Sequence, residues 1–400
     1  MKTQLLTALV AGSVLWLAPS ARAIDTPLTA DVEVFAKAVE WAKKLGGTAK
    51  RVDDPAHPGG IEIVLSRCPV ADDDLKFLRG VARVRRLVLC RTKITDRGLA
   101  HLAGLTRLED LDLGVTAITG DGLRALGKLP RLQQLNLIET KVSDDGLAAL
   151  TRFPTLRKLY LGGNETDVGL ARLAELPELE SLWLSGRNIT DAGLAWLPRM
   201  PRLRSITLFK VRMSDAGMAF LAHSDGLREV DLCGVSVTDA GLEQLARLAH
   251  LESLLVFSDK ITGTGLRFLR GSEIIKSLSI GSCALAEDNL KYVQGMRRLE
   301  GLSLSFSPVG DRGIELLKDL PSLGSIFLEG TRITDAGLRH LRAFPRLWCV
   351  WIRDTRVTDA GVEYLMAIPS LSYVDIKGTL VTDDGVAVLS TSMPDIEVGR

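Results

Sequence analysis

Apolar and polar positions along this chain recur with a period of roughly 24 residues, and within each period the pattern changes from alternation to helical spacing. One stretch reads Leu108-Glu-Asp-Leu111-Asp-Leu113-Gly-Val-Thr116-Ala-Ile118, and others read Leu132-Gln-Gln-Leu135-Asn-Leu137-Ile-Glu-Thr140-Lys-Val142 and Leu323-Gly-Ser-Ile326-Phe-Leu328-Glu-Gly-Thr331-Arg-Ile333. The paired leucines two apart predict a short strand with both anchors turned inward and the residues between them turned out. The second anchor recurs from Leu65 and Leu89 through Leu208 and Val256 to Ile376, which gives 14 units. Three residues later a small polar side chain (Thr92, Thr116, Thr140, Asn164, Thr331, Thr355 or Thr379) is placed to bond backbone groups as the chain leaves the strand. Cys68 and Cys283 occupy the same slot, which gives them a structural role.

A helix-start phrase follows each strand: Thr95-Asp96-Arg-Gly98-Leu99, Thr190-Asp191-Ala-Gly193-Leu194, Thr238-Asp239-Ala-Gly241-Leu242, Thr358-Asp359-Ala-Gly361-Val362. Here Asp96, Asp191, Asp239 or Asp335 is expected to cap a short helix, worth about 1 kcal/mol each. Leu99, Leu102 and Leu105 place that helix over the far side of the core, and prolines such as Pro130, Pro154 and Pro321 end it. Three departures stand out. One residue is missing between Leu161 and Leu184, in the loop Gly162 to Glu165; Gly120 and Gly263 replace the aspartate; and Leu285 to Leu290 is the weakest copy, where a bend or loosened packing is expected. A single unit buries its five or six apolar side chains only against its neighbours, so stability accumulates along the array.

These phrases resemble the leucine-rich-repeat superfamily throughout residues 61–400. The T-D-x-G-L variant looks like secreted repeat proteins of environmental bacteria such as planctomycetes. It is also similar to the repeats of F-box proteins, from which it departs in its shorter units and in having no F-box-like helical region ahead of them. The resemblance implies an α/β fold, a right-handed solenoid or horseshoe with parallel strands on the concave face and short helices on the convex face. Residues 24–60 read as an N-terminal cap. Ala30 to Leu45 forms a helix stopped by Gly46-Gly47, and Thr48 to Val52 and Ile61 to Leu65 form strands joined by the loop Asp53 to Gly60. At the other end Ile396 to Val398 is a fragment of one more strand.

Residues 1–23 carry an export address: Lys2, an apolar stretch from Leu5 to Leu17, and the small-residue cleavage site Ala21-Arg22-Ala23. That stretch is shorter than the roughly 20 residues a spanning helix needs, so membrane insertion is not expected. Cleavage removes 2 basic residues from 50 and none of the 49 acidic ones, leaving 48 against 49, or −1. Such balance gives no electrostatic footprint for nucleic acid. Five cysteines, an odd number, argue against a disulfide framework. Cys90 and Cys233 lie six units apart, or roughly 29 Å at about 4.8 Å per strand, and Cys68 with Cys90 is the one borderline pair, so free thiols are expected.

Five histidines are scattered over different slots, and neither a metal-binding spacing nor a nucleophile or phosphate-loop motif occurs. The chain therefore reads as a non-catalytic protein without a cofactor. Asp72-Asp73-Asp74 falls at a helix start and reads as cap charge before it reads as a cation site, and Asn164-Glu-Thr166 and Asn188-Ile-Thr190 match glycosylation sequons. The outward slots hold Tyr160, Trp183, Phe209, Asp231, Phe257, Phe327, Trp351, Arg353 and Tyr373, with Asp112, Asp375 and Lys377 among them. Fourteen strands span about 65 Å, and a face some 10 Å wide then offers on the order of 650 Å², near one side of a standard protein interface. These residues are the candidate site for a protein or peptide partner, or a glycan; alternatively the rings only stack across strands and steady the sheet. A structural, self-associating envelope protein is one other reading, and a substrate-recognition repeat protein similar to F-box-type ubiquitin-ligase adaptors, which the resemblance implies, is another.

Overall fold

The computed structural model describes residues 29–54 and 57–400. The export address proposed for residues 1–23 lies outside them. Among the described residues, sixteen strands form one sheet in strict sequence order. They are β1 (Thr48–Asp54), β2 (His57–Val64), β3 (Val84–Val88), β4 (Asp110–Asp112), β5 (Gln134–Asn136) and β6 (Lys158–Leu161). Next come β7 (Ser181–Ser185), β8 (Ser205–Phe209), β9 (Glu229–Cys233), β10 (Ser253–Phe257) and β11 (Ser277–Ile280). The last five are β12 (Gly301–Ser303), β13 (Ser325–Phe327), β14 (Cys349–Trp351), β15 (Tyr373–Asp375) and β16 (Glu397–Gly399). β1 and β2 pair antiparallel and each later neighbour pairs parallel. The strands extend into the expected loop from Asp53 to Gly60, since Val52 pairs with Gly60 and Asp54 with His57 across a register shift.

From β3 onward partners are 24 residues apart, as Leu111 with Leu135 and Ile326 with Val350, except across the shortened unit, where Leu159 pairs with Leu182. The inward anchors form one continuous core running from Ala38 to Leu389, with Leu113, Leu137 and Leu328 at 0 % exposure. The opposite side carries α-helices of 4 to 10 residues or 3-10 segments of 3 to 9 residues. Strands at about 4.8 Å spacing stack more closely than helices can, so the sheet takes the inner side of the curve. At the N-terminal end helix α1 (Thr29–Lys44) buries Ala38 and Ala42, and Trp41 stacks on Phe77 at 4.8 Å. All five cysteines are free thiols.

The T-D-x-G-L phrase works across repeats, not within one helix. The N-cap is the threonine or serine: the Thr190 hydroxyl accepts the Ala192 N–H, as Ser214 does from Ala216 and Thr358 from Ala360. The aspartate beside it, expected as the cap, sits one residue further on and reaches the next unit. Asp191 accepts the Ser214 N–H at 2.8 Å and the Ser214 hydroxyl at 2.6 Å. Ten such clasps occur among the described residues, from Asp72 with Thr95 to Asp359 with Thr382, with amide distances of 2.7–2.9 Å and hydroxyl distances of 2.5–2.7 Å. One hydroxyl thus donates to the preceding aspartate and accepts from its own helix, a double role that only a hydroxyl fills here.

The glycine of the phrase follows from the same geometry. A Cβ at Gly98 would lie 2.6 Å from Asp72 Oδ1 and one at Gly361 2.5 Å from Asp335 Oδ1, so a side chain would displace the clasping carboxylate. Where Gly120 replaces the aspartate the clasp is missing, and Gly120 packs instead on the backbone of Gly146. In the weakest copy, Glu287 takes the aspartate's place and its carboxylate accepts the Gly310 N–H. The core beneath is not loosened: Leu285 is 1 % exposed and Leu290 and Val293 are 0 % exposed. Asp72 belongs to a clasp, Asp74 accepts the Ala71 N–H at 2.9 Å, and Asp73 pairs with Lys76 at 2.8 Å, which accounts for the acidic triplet.

At the strand exits Thr92, Thr140, Thr331, Thr355 and Thr379 donate to the carbonyl three residues back at 2.6–2.8 Å, as the spacing predicts. Cys283 Sγ donates instead to the Gly281 carbonyl at 3.1 Å, and Cys68 Sγ to that of Ser66 at 3.6 Å. Asn164 is a correction. The residue missing from this unit is the turn threonine itself, so Asn164 is exposed, and Glu165 falls in the core slot that Val142 and Ile189 fill elsewhere. Glu165 is 2 % exposed, and neither carboxyl oxygen has a hydrogen-bond partner of normal geometry. Burial pushes this carboxyl above its usual range, and nearby backbone N–H groups of Gly162 to Glu165 offset only part of it.

Two predictions follow from this architecture. Gly193→Ala should cost about 2 kcal/mol or more by driving a methyl into Asp167, and markedly less in an Asp167→Ala background; chemical denaturation of the four proteins of the cycle reads the coupling. Glu165→Ile should stabilise the chain by about 1–3 kcal/mol at neutral pH, because an unpaired buried carboxyl gives way to the apolar residue its slot holds elsewhere. A lower melting temperature for this variant would contradict that account.

Candidate functional site on the sheet face

The outward residues of β2 to β15 fall into three columns, because parallel pairing in a constant register sets equivalent positions side by side. The central column runs Tyr160, Trp183, Thr207, Asp231, Leu255, Ser279, Ser303, Phe327, Trp351, Asp375. All nine candidate residues lie on this face, half-buried. They form two groups. Tyr160, Trp183, Phe209, Asp231 and Phe257 occupy β6 to β10; Phe327, Trp351, Arg353 and Tyr373 occupy β13 to β15 and the turn after β14. Between them β11 and β12 present only Ser277, Ser279, Gly281, Gly301, Ser303 and Ser305, so the two islands are about 14 Å apart.

The rings touch one another as well as solvent. Trp183 stacks on Phe209 at 5.9 Å, and Trp351 meets Phe327 and Tyr373, each at 5.7 Å. Offset contacts of this kind fix ring orientation, and each adds about 0.5–1.5 kcal/mol beyond area burial. Neighbouring glycines make room: a Cβ on Gly281 would meet Phe257 Cε1 at 2.6 Å, and one on Gly162 would meet Trp183 at 3.3 Å.

The two islands differ in electrostatics. In the second, the Arg353 guanidinium lies 4.8 Å over Trp351 and pairs with Asp375 at 2.6 Å. Asp375, placed outward by its slot, is 0 % exposed, and its other contacts are the Tyr373 hydroxyl at 3.3 Å and the Lys377 N–H at 3.2 Å. Burial raises its pKa, but the hydrogen bonds from Arg353, the Lys377 N–H and Tyr373, together with the charge of Arg353, outweigh that and hold the carboxyl below the usual range. Lys377 itself is exposed. In the first island Asp231 has only the Thr207 hydroxyl at 3.4 Å, and burial pushes its carboxyl up to about 6. The buried Cys233 thiol beside it is pushed up to about 12 by the same cause, which makes it a poor nucleophile near neutral pH.

Nearer the N-terminal end, Asp110 pairs with Arg86 at 2.9 Å, and Asp112 accepts the Gly114 N–H at 2.9 Å. Sequence reasoning missed Trp348, 52 % exposed at the entry to β14 beside the second island. The signal was available, since equivalent slots in earlier units hold charged residues paired between repeats, as Arg85 with Glu109 at 2.6 Å. No group of metal-ligating side chains occurs among the described residues, and none of their helices is long and apolar enough to cross a membrane.

Asp231 carries a testable consequence for stability. A carboxyl whose folded pKa stands near 6 against an ordinary 3.8 favours the fold when protonated, and that advantage is lost as pH rises through about 6. Asp231→Asn should therefore raise the unfolding free energy at pH 7–8 by on the order of 1–2 kcal/mol after discounting for solvent screening, and give no gain below about pH 4. Thermal unfolding across pH measures this.

No family model and no curated protein matches the sequence. Among solved structures, the chain is similar to an internalin from Listeria monocytogenes, with 23 % identity and a TM-score of 0.57 over 78 % of this chain and 86 % of that one. It is also similar to a leucine-rich-repeat protein of Leptospira interrogans, with 14 % identity and a TM-score of 0.42 over 81 % of this chain and 98 % of that one. A third match is the FLRT2 repeat domain, solved in an octameric complex with latrophilin 3 and Unc5D. There the identity is 15 % and the TM-score 0.44, over 67 % of this chain and 83 % of that one. The sixteen-stranded array, parallel from β2 onward, and the likeness to the internalin show that this chain has the fold of a leucine-rich-repeat solenoid.

Proposed function

We propose that this is an exported, non-catalytic recognition protein that holds a protein or peptide segment against its sheet face. Residues 24–60 close the N-terminal end, and residues 61–400 form the binding array. One observation carries the reading: the outward columns concentrate half-exposed aromatic rings in two islands, Tyr160 to Phe257 and Phe327 to Tyr373, separated by a floor of serine and glycine. Rigid aromatic side chains lose little entropy on contact and dominate the energetics of interfaces. The low floor between them leaves room for backbone or small side chains of an extended partner. Burial pushes the Cys233 and Cys283 thiols up, which makes them poor nucleophiles and supports binding over catalysis.

Trp183→Ala and Trp351→Ala test the reading together. With a partner isolated from the extracellular milieu, each should raise Kd by more than about tenfold while the melting temperature moves by only a few degrees. Unchanged Kd with a large fall in melting temperature would show that the rings merely steady the sheet.

A further inference from the structure

We infer that the first aromatic island is a receptor for a basic side chain, so that the partner presents a lysine or arginine which lays its aliphatic stem between Phe209 and Phe257 and its cation against Asp231. This deepens the recognition function proposed above and rests on it. The register supplies the frame. Phe209, Cys233 and Phe257 are paired across β8, β9 and β10, and Thr207, Asp231 and Leu255 are paired in the adjoining column. Asp231 therefore stands on the central strand with a phenylalanine diagonal to it on each side, within reach of long side chains. Trp183, stacked on Phe209, extends the apolar wall towards β6.

The acidic residues along the columns differ in their partners, and Asp112 has at least the Gly114 N–H at 2.9 Å. Asp110 has Arg86 and Asp375 has Arg353, whereas Asp231 has a single hydroxyl at 3.4 Å, and the charged group nearest to it on its own strand is the exposed Glu229, which adds negative potential. A half-buried, unneutralised carboxylate walled by ring faces is complementary to a cation with an apolar stem, since aromatic faces also attract positive charge. The chain shows that one ring face accepts an ammonium: Lys210 Nζ, on the exposed turn after β8, rests 4.8 Å from the centre of the Phe209 ring. The other groups facing Asp231 are the Thr207 hydroxyl and Leu255, which do not titrate near neutral pH, and Cys233, which stays a neutral thiol.

Random dodecapeptides displayed on phage, panned on the full chain at about pH 7.5 and then synthesised, provide the probe. The recovered peptides should share a lysine or arginine beside apolar residues. Asp231→Asn should weaken such a peptide roughly tenfold or more, and Asp231→Glu should restore much of the affinity. The same peptide with norleucine in place of its basic residue should bind wild type and Asp231→Asn alike. Affinity for the basic peptide should fall as pH drops through about 6, where Asp231 takes up a proton. Recovered peptides without a basic residue, or unchanged affinity on Asp231→Asn, would overturn the inference; in either case sensitivity to Trp183→Ala or Trp351→Ala would leave the sheet-face reading standing. No enrichment over an unrelated protein would remove both.

Discussion

The structure depends on a carboxylate that belongs to one repeat and is satisfied by the next. Asp167 accepts the amide and the hydroxyl of Thr190, Asp191 those of Ser214, and Asp215 those of Thr238, so that four successive turns are tied on the convex side by charge-assisted hydrogen bonds. The apolar spine supplies most of the driving force, but leucine packing is tolerant of small slips and these bonds are not. An aspartate that must meet both an N–H and an O–H fixes the distance and rotation between neighbouring units. A threonine with both bonding roles and a glycine without a side chain then become necessary partners in the phrase.

With register fixed from the convex side and the core, the outer surface of the sheet is released from structural duty. Its columns range from Ser303 through Asp231 to Trp351 without altering the pairing of the strands beneath. This division of labour is what a recognition array requires: a scaffold set by repeated positions and a face set by variable ones. The two aromatic islands show how variable positions cooperate. The second balances its own charge through Arg353 and Asp375, and the first leaves Asp231 unbalanced, so the two differ in what they can hold although both are built from stacked rings.

The irregular units show where the repeat tolerates error. Gly120 gives up a clasp and gains direct backbone contact with Gly146, and Glu287 substitutes a longer carboxylate that still meets the Gly310 amide. The core stays closed at both places because the inward anchors are unchanged. Glu165 is a different kind of exception. Deletion of the turn threonine moved a polar residue into a core slot, and the neighbouring units hold it there.

The sequence alone determined the repeat length, the inward anchors, the strand order and the short segment on the far side, because apolar periodicity reports which side chains must leave water. It also placed all nine candidate residues on the outer face, since alternation along a strand is a local property. Only the tertiary structure decided that Asp96 and its equivalents act on the following unit and that Glu165 took the place of a valine. It alone also decided that Asp375 is enclosed by Arg353 and Tyr373 while Asp231 is not. Each of these turns on contacts between residues about 24 positions apart, where distance in the chain carries no information and the stacking of one turn on the next sets which groups meet.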